Sequence, residues 1–403
     1  MTLPLIVFRS LRQHALSSVI TALCISLAGG LLMSVWVVKE QSFAIFTGMN
    51  AGFDAVLGAR GSKLQLILNA IFHLESSPGN LAWSDYQEIK RDPAVDLAMP
   101  IAVGDNYLGY RLVGTLPEVL TNADFTPGKK LSFEPGGEIF EKDRQEAVVG
   151  SFAARKLGLK LGDAFHPYHG LIFNEKDQHS ETYLVSGILE PSNTPADKVI
   201  WIPLAGIQNM AGHNPDTVSD ISAVLVKLKT GNPTSGFRLD QKYNKLGNRL
   251  TFAWPISTVV AELFNKINWF DQLLALIAYL VALMAAASIL ASIYNSMNER
   301  RRDIAILRAL GARRGTIFGV LIGEAIAIST AGMAFAFFIH LVIMIIATGL
   351  IRSQTGVVLD PLKLHPVMLW APATLIALGA LAGMIPAIKG YRIEVAENLT
   401  PGS

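Results

Sequence analysis

The sequence predicts a membrane protein in which four transmembrane α-helices carry a large α+β extracytoplasmic domain between helices 1 and 2. Only 16% of its residues are charged, against about 25% in a typical soluble protein. Four apolar runs lie in the flanks of the chain, and residues 39–271 between the first two have a soluble composition. The single cysteine, Cys24, lies inside an apolar run and excludes a disulfide framework or a cysteine-based metal site.

Each apolar run reaches the length of about 20 residues that a helix needs to cross the hydrocarbon. The first run is uncharged and exceeds the apolar core of a signal peptide, which is about 7–15 residues, so we expect it to be retained. Four retained spans place both termini on the same side of the membrane. The predicted spans are Leu16–Val38, Gln272–Met297, Thr316–Ile351 and Val367–Ile388.

The arginines and lysines of the short connections predict the orientation of the chain. Such residues accumulate on the cytoplasmic side. Arg9 and Arg12 precede the first span, six arginines separate the second and third spans, and Lys389 follows the fourth. The connection between the third and fourth spans carries only Arg352 and Lys363. Both termini and the arginine-rich loop are therefore predicted to be cytoplasmic, and residues 39–271 to face outward.

Small residues recur at every fourth position in three of the spans. This spacing lets helix backbones approach closely in lipid. Two interpretations remain open, packing within one subunit and a homodimer interface. The predicted packing residues are Gly30, Ser34, Ala287, Ala291, Gly379 and Gly383.

The outward domain mixes strand and helix patterns. Ser151–Leu159 reads as an amphipathic helix with Ser151 as its N-cap. Phe43–Phe72 is expected to be largely helical and to continue the first span outward. Strands are predicted at Glu146–Gly150, Tyr183–Ile188, Val199–Ile202 and Ile221–Leu228.

The outward domain lacks the HExxH and GxSxG patterns and a convincing carboxylate pair, so no catalytic residue is predicted. His166, His169 and His179 lie close together in the sequence among carboxylates, which are usual zinc ligands together with histidine. Their irregular spacing favours a solvated loop, and a weak metal site is the alternative. The net charge of +2 gives no basic field for nucleic acid.

The arginine-rich segment 298–314 reads as a short cytoplasmic helix. Ile304, Leu307 and Leu310 share one face, and Gly311 can end the helix in the left-handed conformation. The pattern alone fits either an interfacial helix on anionic lipid or a docking helix for a cytoplasmic partner. Glu324 in the third span is a costly intramembrane carboxylate with a functional interpretation. The alternative is a structural one, in which Glu324 reaches the membrane interface or pairs with Arg313 or Arg314.

Segment 298–314 resembles the corresponding segment of FtsX-like and MacB-type ABC permeases, the type VII ABC superfamily, which is related to the lipoprotein-releasing LolC and LolE permeases. Asp303 stands where that family usually has glutamate. Val148-Val149-Gly150 and the following Leu157-Gly158 resemble the outer domain of MacB. The residues that fit the cytoplasmic pattern are Glu299, Arg300, Ile304, Leu307, Ala309, Gly311 and Ala312.

The resemblance implies three regions. Residues 1–38 hold the cytoplasmic N-terminus and first span, residues 39–271 a MacB-like periplasmic domain, and residues 272–403 an FtsX-like domain that includes a coupling helix over 298–314. It also implies a homodimer in the bacterial inner membrane, bound to a dimer of ABC ATPase subunits and aided by a periplasmic adaptor, lipoprotein or binding protein. The implied coupling residues are Glu299, Arg300, Arg301, Asp303, Ile304, Leu307, Leu310, Gly311 and Ala312.

The sequence contains no GxxxxGK[ST] motif. We therefore expect a separate ATPase to bind ATP and Mg, and this chain to be a non-catalytic subunit without a cofactor. Its implied function is mechanotransmission, in which ATP hydrolysis moves the periplasmic domain to export or extract a lipoprotein, peptide or amphiphile. Two alternatives remain, an FtsX-like signalling subunit that controls a periplasmic enzyme and a metal-handling ABC system with a periplasmic metal-binding partner.

Overall fold

A computed structural model describes residues 3–122, 124–125, 129–210, 219–229, 234–299, 304, 306, 308–309 and 311–391. The chain divides into two compact units. The helical unit comprises Met1–Gln41, Ile267–Thr348 and Leu359–Ser403. The sheet unit comprises Ser42–Lys266 and the short segment Gly349–Val358.

The described helices include four that are long and apolar enough to cross a membrane, which begin at Ala15, Ile256, Arg314 and Val367. Their order and the mixed domain between the first two confirm the predicted fold class. In chain order the helices are α1 (Leu3–Gln13), α2 (Ala15–Gly48), α3 (Lys63–Ala70), α4 (Trp83–Lys90), α5 (Pro117–Asn122), α6 (Ser151–Leu157), α7 (Leu204–Gln208), α8 (Thr234–Asp240), α9 (Ile256–Glu299), α10 (Arg314–Thr355) and α11 (Val367–Tyr391).

Three of these helices are longer than a bilayer requires. Helices α2, α9 and α10 have 34, 44 and 42 residues, whereas about 20 residues span the hydrocarbon. Each of the three helices contributes residues to both units, α2 and α9 at the ends that adjoin the mixed domain in sequence and α10 at its C-terminal end.

Close packing inside the helical unit accounts for four of the small residues. A Cβ on Gly30 would lie 2.6 Å from Ile339, and one on Gly383 would lie 2.6 Å from Ala325. A Cβ on Gly379 would overlap Ser329. The Ser34 hydroxyl donates to the Gly30 carbonyl at 2.7 Å and lies 3.0 Å from His340 Nδ1.

Ala287 and Ala291 do not pack within the chain as these four residues do, because both are exposed on α9. The face of α9 that packs against its own chain instead carries Ala282, Ala286, Ile289 and Ile293. The homodimer interpretation of the small-residue spacing stays a prediction. Packing within the chain uses Gly30, Ser34, Gly379 and Gly383, while Ala287 and Ala291 face outward.

The sheet unit is built on one ten-stranded mixed sheet in the order β10-β1-β9-β2-β3-β8-β4-β7-β5, with β6 paired to β2. The pairs β3–β8 and β4–β7 are parallel and the other pairs are antiparallel. The strands are β1 (Ala55–Ala59), β2 (Val95–Tyr107), β3 (Tyr110–Thr115), β4 (Glu146–Val149), β5 (Ala164–Phe165), β6 (Tyr168–His169), β7 (Tyr183–Ile188), β8 (Ile200–Pro203), β9 (Ala223–Leu228) and β10 (Leu250–Ala253).

Side chains alternate between two apolar clusters, one on each face of the sheet. Trp201 and Phe53 belong to one cluster, and Tyr183 and Phe252 belong to the other. The four predicted strands correspond to β4, β7, β8 and β9, and alternation along the sequence was the basis of the prediction for β9. Burial of both faces requires helices on each side, which α3 and α4 among others supply.

Two expectations were wrong in detail. Ser151 is the first residue of α6, and its N-cap is Gly150, which has no side chain to cap with. The stretch 43–72 is helical only at its ends, because Ala51 and Gly52 take positive φ values of 50° and 76° and turn the chain into β1. Strand pairing on both sides of β1 outweighs the helical pattern there.

Candidate functional site

The predicted coupling segment lies between the end of α9 at Glu299 and the start of α10 at Arg314. Ile304 is helical and only 7% exposed. Gly311 has a φ of 101°, and its N–H donates to the Arg308 carbonyl at 3.0 Å. A helix stop at Gly311 is thus present where the sequence predicts one, with the half-buried Ala312 after it. The other predicted coupling residues, Arg300, Arg301, Asp303, Leu307 and Leu310, lie outside the described residues.

Polar contacts join neighbouring helices at the end of α9 that leads into this segment. Glu299 Oε2 lies 3.2 Å from Nδ1 of His14, in the turn between α1 and α2. The Lys389 ammonium of α11 donates to the Tyr294 hydroxyl of α9 at 2.8 Å. The end of α9 is therefore in contact with the turn between α1 and α2 and with α11.

Glu324 is buried inside the helical unit and is only 3% exposed. It stands ten residues after Arg314, about 15 Å along the helix axis at 1.5 Å per residue. The Arg314 guanidinium carbon lies 5.5 Å from the centre of the Tyr391 ring. A carboxylate at this depth is a candidate functional group, and its role stays a prediction.

The far end of α10 is fixed in the sheet unit by a set of contacts that we call the α10 anchor. The Val358 N–H donates to Asn193 Oδ1 at 2.5 Å, and Asn193 Nδ2 donates to the Val358 carbonyl at 3.3 Å. The Lys198 ammonium donates to the Gln354 carbonyl at 2.5 Å. Val357 is fully buried in the apolar core of the sheet unit. The anchor thus combines three kinds of contact. The Asn193 side chain makes a pair of hydrogen bonds with the Val358 backbone, Lys198 supplies a charged donor, and Val357 packs in the apolar core.

A buried carboxylate organises the loop that presents Asn193. Asp197 is 4% exposed and accepts hydrogen bonds from the backbone N–H groups of Ser192 and Asn193 at 3.0 and 2.9 Å. The Ser192 hydroxyl donates to it at 2.7 Å. Asn193 itself takes a φ of 55°, a conformation that asparagine tolerates better than most residues. The loop that presents Asn193 is therefore fixed by hydrogen bonds of its own.

Burial lowers the pKa of Lys198, and the nearby charge of Arg111 lowers it further. The ammonium therefore carries a desolvation cost that its hydrogen bond to the Gln354 carbonyl offsets.

The three histidines singled out in the sequence have different surroundings. His166 is exposed, and its Nδ1 lies 3.1 Å from the Glu181 carbonyl oxygen. His169 and His179 instead both approach one oxygen of Asp105, at 3.3 Å each. Asp105 was not predicted, because it lies on β2, far from the histidines in the sequence.

Two family models match the chain. Residues 275–395 match the FtsX-like permease C-terminal model, and residues 18–237 match the MacB-like periplasmic core domain model. The second match covers more than half of the chain.

The chain is similar over most of its length to a lipoprotein-releasing protein and to macrolide export proteins. It is 22% identical to the lipoprotein-releasing system transmembrane protein LolE of Haemophilus influenzae over 66% of this chain and 67% of LolE. It is 25% identical to the macrolide export ATP-binding/permease protein MacB of Brucella melitensis over 97% of this chain and 59% of MacB. The MacB of Nitrobacter winogradskyi is 22% identical, with 97% and 60% covered. The chain thus spans about three-fifths of these MacB proteins.

Among solved structures, the periplasmic region of MacB from Actinobacillus actinomycetemcomitans matches part of the chain. It is 14% identical, the match covers 54% of this chain and 94% of that one, and the TM-score is 0.36.

Proposed function

Because the chain belongs to the family of FtsX-like, MacB-type ABC transporter permeases, we propose that it couples ATP hydrolysis by a separate ATPase subunit to movement of its sheet unit. The observation that carries this proposal is the course of α10. That helix begins directly after the predicted coupling segment and ends in the α10 anchor. Mechanotransmission needs a rigid element that has one end at the coupling segment and the other end in the sheet unit.

Helix α10 has the properties of such an element. Its 42 residues are an unbroken helix, about 63 Å long at 1.5 Å per residue. Every backbone hydrogen bond of a membrane helix is internal, so the rod resists bending in lipid. A shift imposed at Arg314 would reach the anchor at Gln354 as a shift or rotation of the same helix.

The coupling segment supplies the contact with the ATPase in this proposal. Ile304 of this segment is buried within the chain itself, so the arginines that surround it in the sequence would make the contact with the partner. A short helix of this kind can dock on a cytoplasmic partner. The partner ATPase binds ATP and Mg. When the two ATPase subunits of the dimer close on each other, they move the coupling segments of the two permease chains together.

The exposed face of α9 supports a homodimer of the permease. Ala287 and Ala291 lie on that face and leave room for a second helix to approach. Two chains would then present two coupling segments to the ATPase dimer, as symmetric assemblies require.

The work done at the outer face is export or extraction of a lipoprotein, peptide or amphiphile in this proposal. The names of the relatives describe lipoprotein release and macrolide export, and we extend that class of cargo to this chain. A periplasmic adaptor, lipoprotein or binding protein would receive or deliver the cargo at the sheet unit.

Affinity purification of the tagged chain from detergent-solubilised native membranes, read by mass spectrometry, tests the partnership. We expect a P-loop ATPase to be recovered in an amount equal to the permease. Reversal of charge by Arg300→Glu with Arg301→Glu should leave membrane insertion intact and reduce that recovery. A clean preparation without any ATPase would contradict the proposal.

A further inference from the structure

Three side chains of the sheet unit converge outside the coupling apparatus. They are Asp105, His169 and His179, and their ligand atoms all lie within 4.8 Å of one another. Asp105 is fully buried, and the side chain of His179 is only 5% exposed, whereas that of His169 is 55% exposed. Two of the three side chains are thus buried, and the third, His169, reaches the solvent.

The spacing of the ligand atoms fits a shared metal ion. Asp105 Oδ1 lies 3.3 Å from His169 Nδ1 and 3.3 Å from His179 Nε2. Two ligands at about 2.0–2.1 Å from a tetrahedral zinc ion are about 3.3–3.4 Å apart. Good N–H···O hydrogen bonds are shorter, about 2.7–3.2 Å. The distances therefore fit an ion shared by the groups, and the His179 ring also lies within hydrogen-bond distance of Asp105.

The backbone holds these ligands in position by bonds that do not involve their side chains. Asp105 on β2 is the register partner of His169 on β6. The buried Asn106 side chain donates to the Gly170 carbonyl at 2.9 Å and secures the strand that carries His169. The His179 N–H donates to the Pro167 carbonyl at 2.8 Å. The ligand set is therefore arranged in advance of any ion.

The charges of the cluster also favour a cation. Burial of an ionised carboxylate is costly unless a positive charge compensates it. A divalent ion bound by one carboxylate and two neutral imidazoles supplies that charge, and this donor set suits zinc. The rings of His169 and His179 are 5.5 Å apart and nearly perpendicular, at 79°, so they are not stacked on each other.

We propose that Asp105, His169 and His179 form a zinc site on the sheet unit. Because His169 lies at the surface, the ion keeps a coordination position on its solvent side. A zinc site with three protein ligands and an open position can accept a further donor, here from water, a substrate or a protein that docks on this face. The site does not depend on ATPase coupling and can be tested on the purified chain alone.

The test uses the full-length chain in detergent, purified with a histidine-free tag and stripped of metal with a chelator. Zinc binding is measured by calorimetry, and the visible absorption of added Co²⁺ reports the coordination geometry. We expect equimolar zinc binding and the intense bands of four-coordinate Co²⁺. Zinc should also raise the melting temperature, because it binds only the folded state.

His169→Ala and His166→Ala are the matched pair for this test, since both replace exposed histidines of the same region. We expect His169→Ala to weaken zinc binding roughly tenfold or more and to abolish the Co²⁺ bands, without changing the melting temperature of the metal-free chain. His166→Ala should bind zinc as the unsubstituted chain does. Asp105→Asn, which keeps the shape of the buried group, should lose binding as His169→Ala does.

Absence of zinc binding by the unsubstituted chain would overturn the proposal. Equal affinities in the His169→Ala and His166→Ala variants would overturn it as well, because the ion would then be bound elsewhere.

Discussion

In the sheet unit, His73 has a backbone conformation and a pKa that its neighbours in the sequence do not indicate. His73 takes a φ of 53°, and its ring packs edge-on against Trp201 with centroids 5.6 Å apart. Burial, and then the nearby charge of Arg111, lower the pKa of His73 from 6.5 to about 3. His73 is therefore neutral in the folded protein at every pH near neutrality.

This pKa predicts that the sheet unit loses stability in acid. Between pH 6.5 and about 3 the unfolded chain binds a proton that folded His73 does not, so the free energy of unfolding falls as pH falls. The loss approaches about 1.4 kcal/mol per pH unit, or roughly 2 kcal/mol at pH 5. Thermal melts of the full chain in detergent, followed by tryptophan fluorescence at pH 7.5 and pH 5, measure it.

His73→Asn is the variant for that measurement, because asparagine tolerates a positive φ and does not titrate. We expect a smaller difference between the melting temperatures at pH 7.5 and pH 5 than in the unsubstituted chain. An unchanged difference would show that other groups cause the acid sensitivity.

Single residues were also the hardest to predict from the sequence. His169 and His179 are visible as candidates because they are near each other in the chain, but their partner Asp105 comes from β2 through strand pairing. Asn193 looks like an ordinary loop residue, and its contact with Val358 depends on the fold. Residues that meet only through tertiary structure leave no local pattern.

At the scale of elements, hydrophobic length predicted the membrane helices well. All four predicted spans lie within α2, α9, α10 and α11, because a bilayer imposes a length that can be read directly. What the sequence did not predict is the role of Gly349–Val358, which was assigned to the end of the third span and the following loop. These residues belong to the sheet unit, since Val357 fills its core.

The α10 anchor predicts an uncoupling variant. Asn193→Gly keeps the φ of 55° accessible and removes only the side-chain amide that bonds Val358. With the anchor loosened, we expect ATP hydrolysis by the copurified ATPase to continue while cargo release at the outer face falls. The measurement compares both rates in reconstituted vesicles.

Ser353→Ala is the control for this variant, because Ser353 is exposed and its hydroxyl donates only to the Leu350 carbonyl of its own helix, at 2.7 Å. It should retain both rates. If Asn193→Gly also retained both, the anchor would have no part in coupling.

Close helix packing predicts a second pair of variants. Gly30→Ala places a Cβ 2.6 Å from Ile339 and 3.1 Å from the Ala336 carbonyl oxygen, and overpacking of this kind costs about 1–3 kcal/mol. Gly349→Ala, in α10, meets nothing within 4 Å. We expect a lower melting temperature in detergent for Gly30→Ala and no decrease for Gly349→Ala. Equal melting temperatures would contradict the packing of α2 against α10.

At the scale of the whole molecule, the sequence predicted a helical part and an inserted mixed domain, which the two units reflect. It did not predict how the strands join, because the order of the sheet places β1 between β9 and β10 from the far end of the domain. Such pairings are non-local and have no signal in one sequence. The joining of β1 to β10 also brings the end of α2 and the start of α9 to neighbouring strands.

The central claim is that nucleotide turnover at the ATPase reaches the sheet unit through α10. Hydrogen exchange of the copurified complex, with and without ATP, tests it most directly through peptides that cover Asn193, Lys198 and Gly349–Val358. We predict that ATP changes exchange in these peptides in the unsubstituted complex, and that the change is lost when the ATPase carries a substituted P-loop lysine. Identical exchange with and without ATP, in a complex that hydrolyses ATP, would contradict the claim.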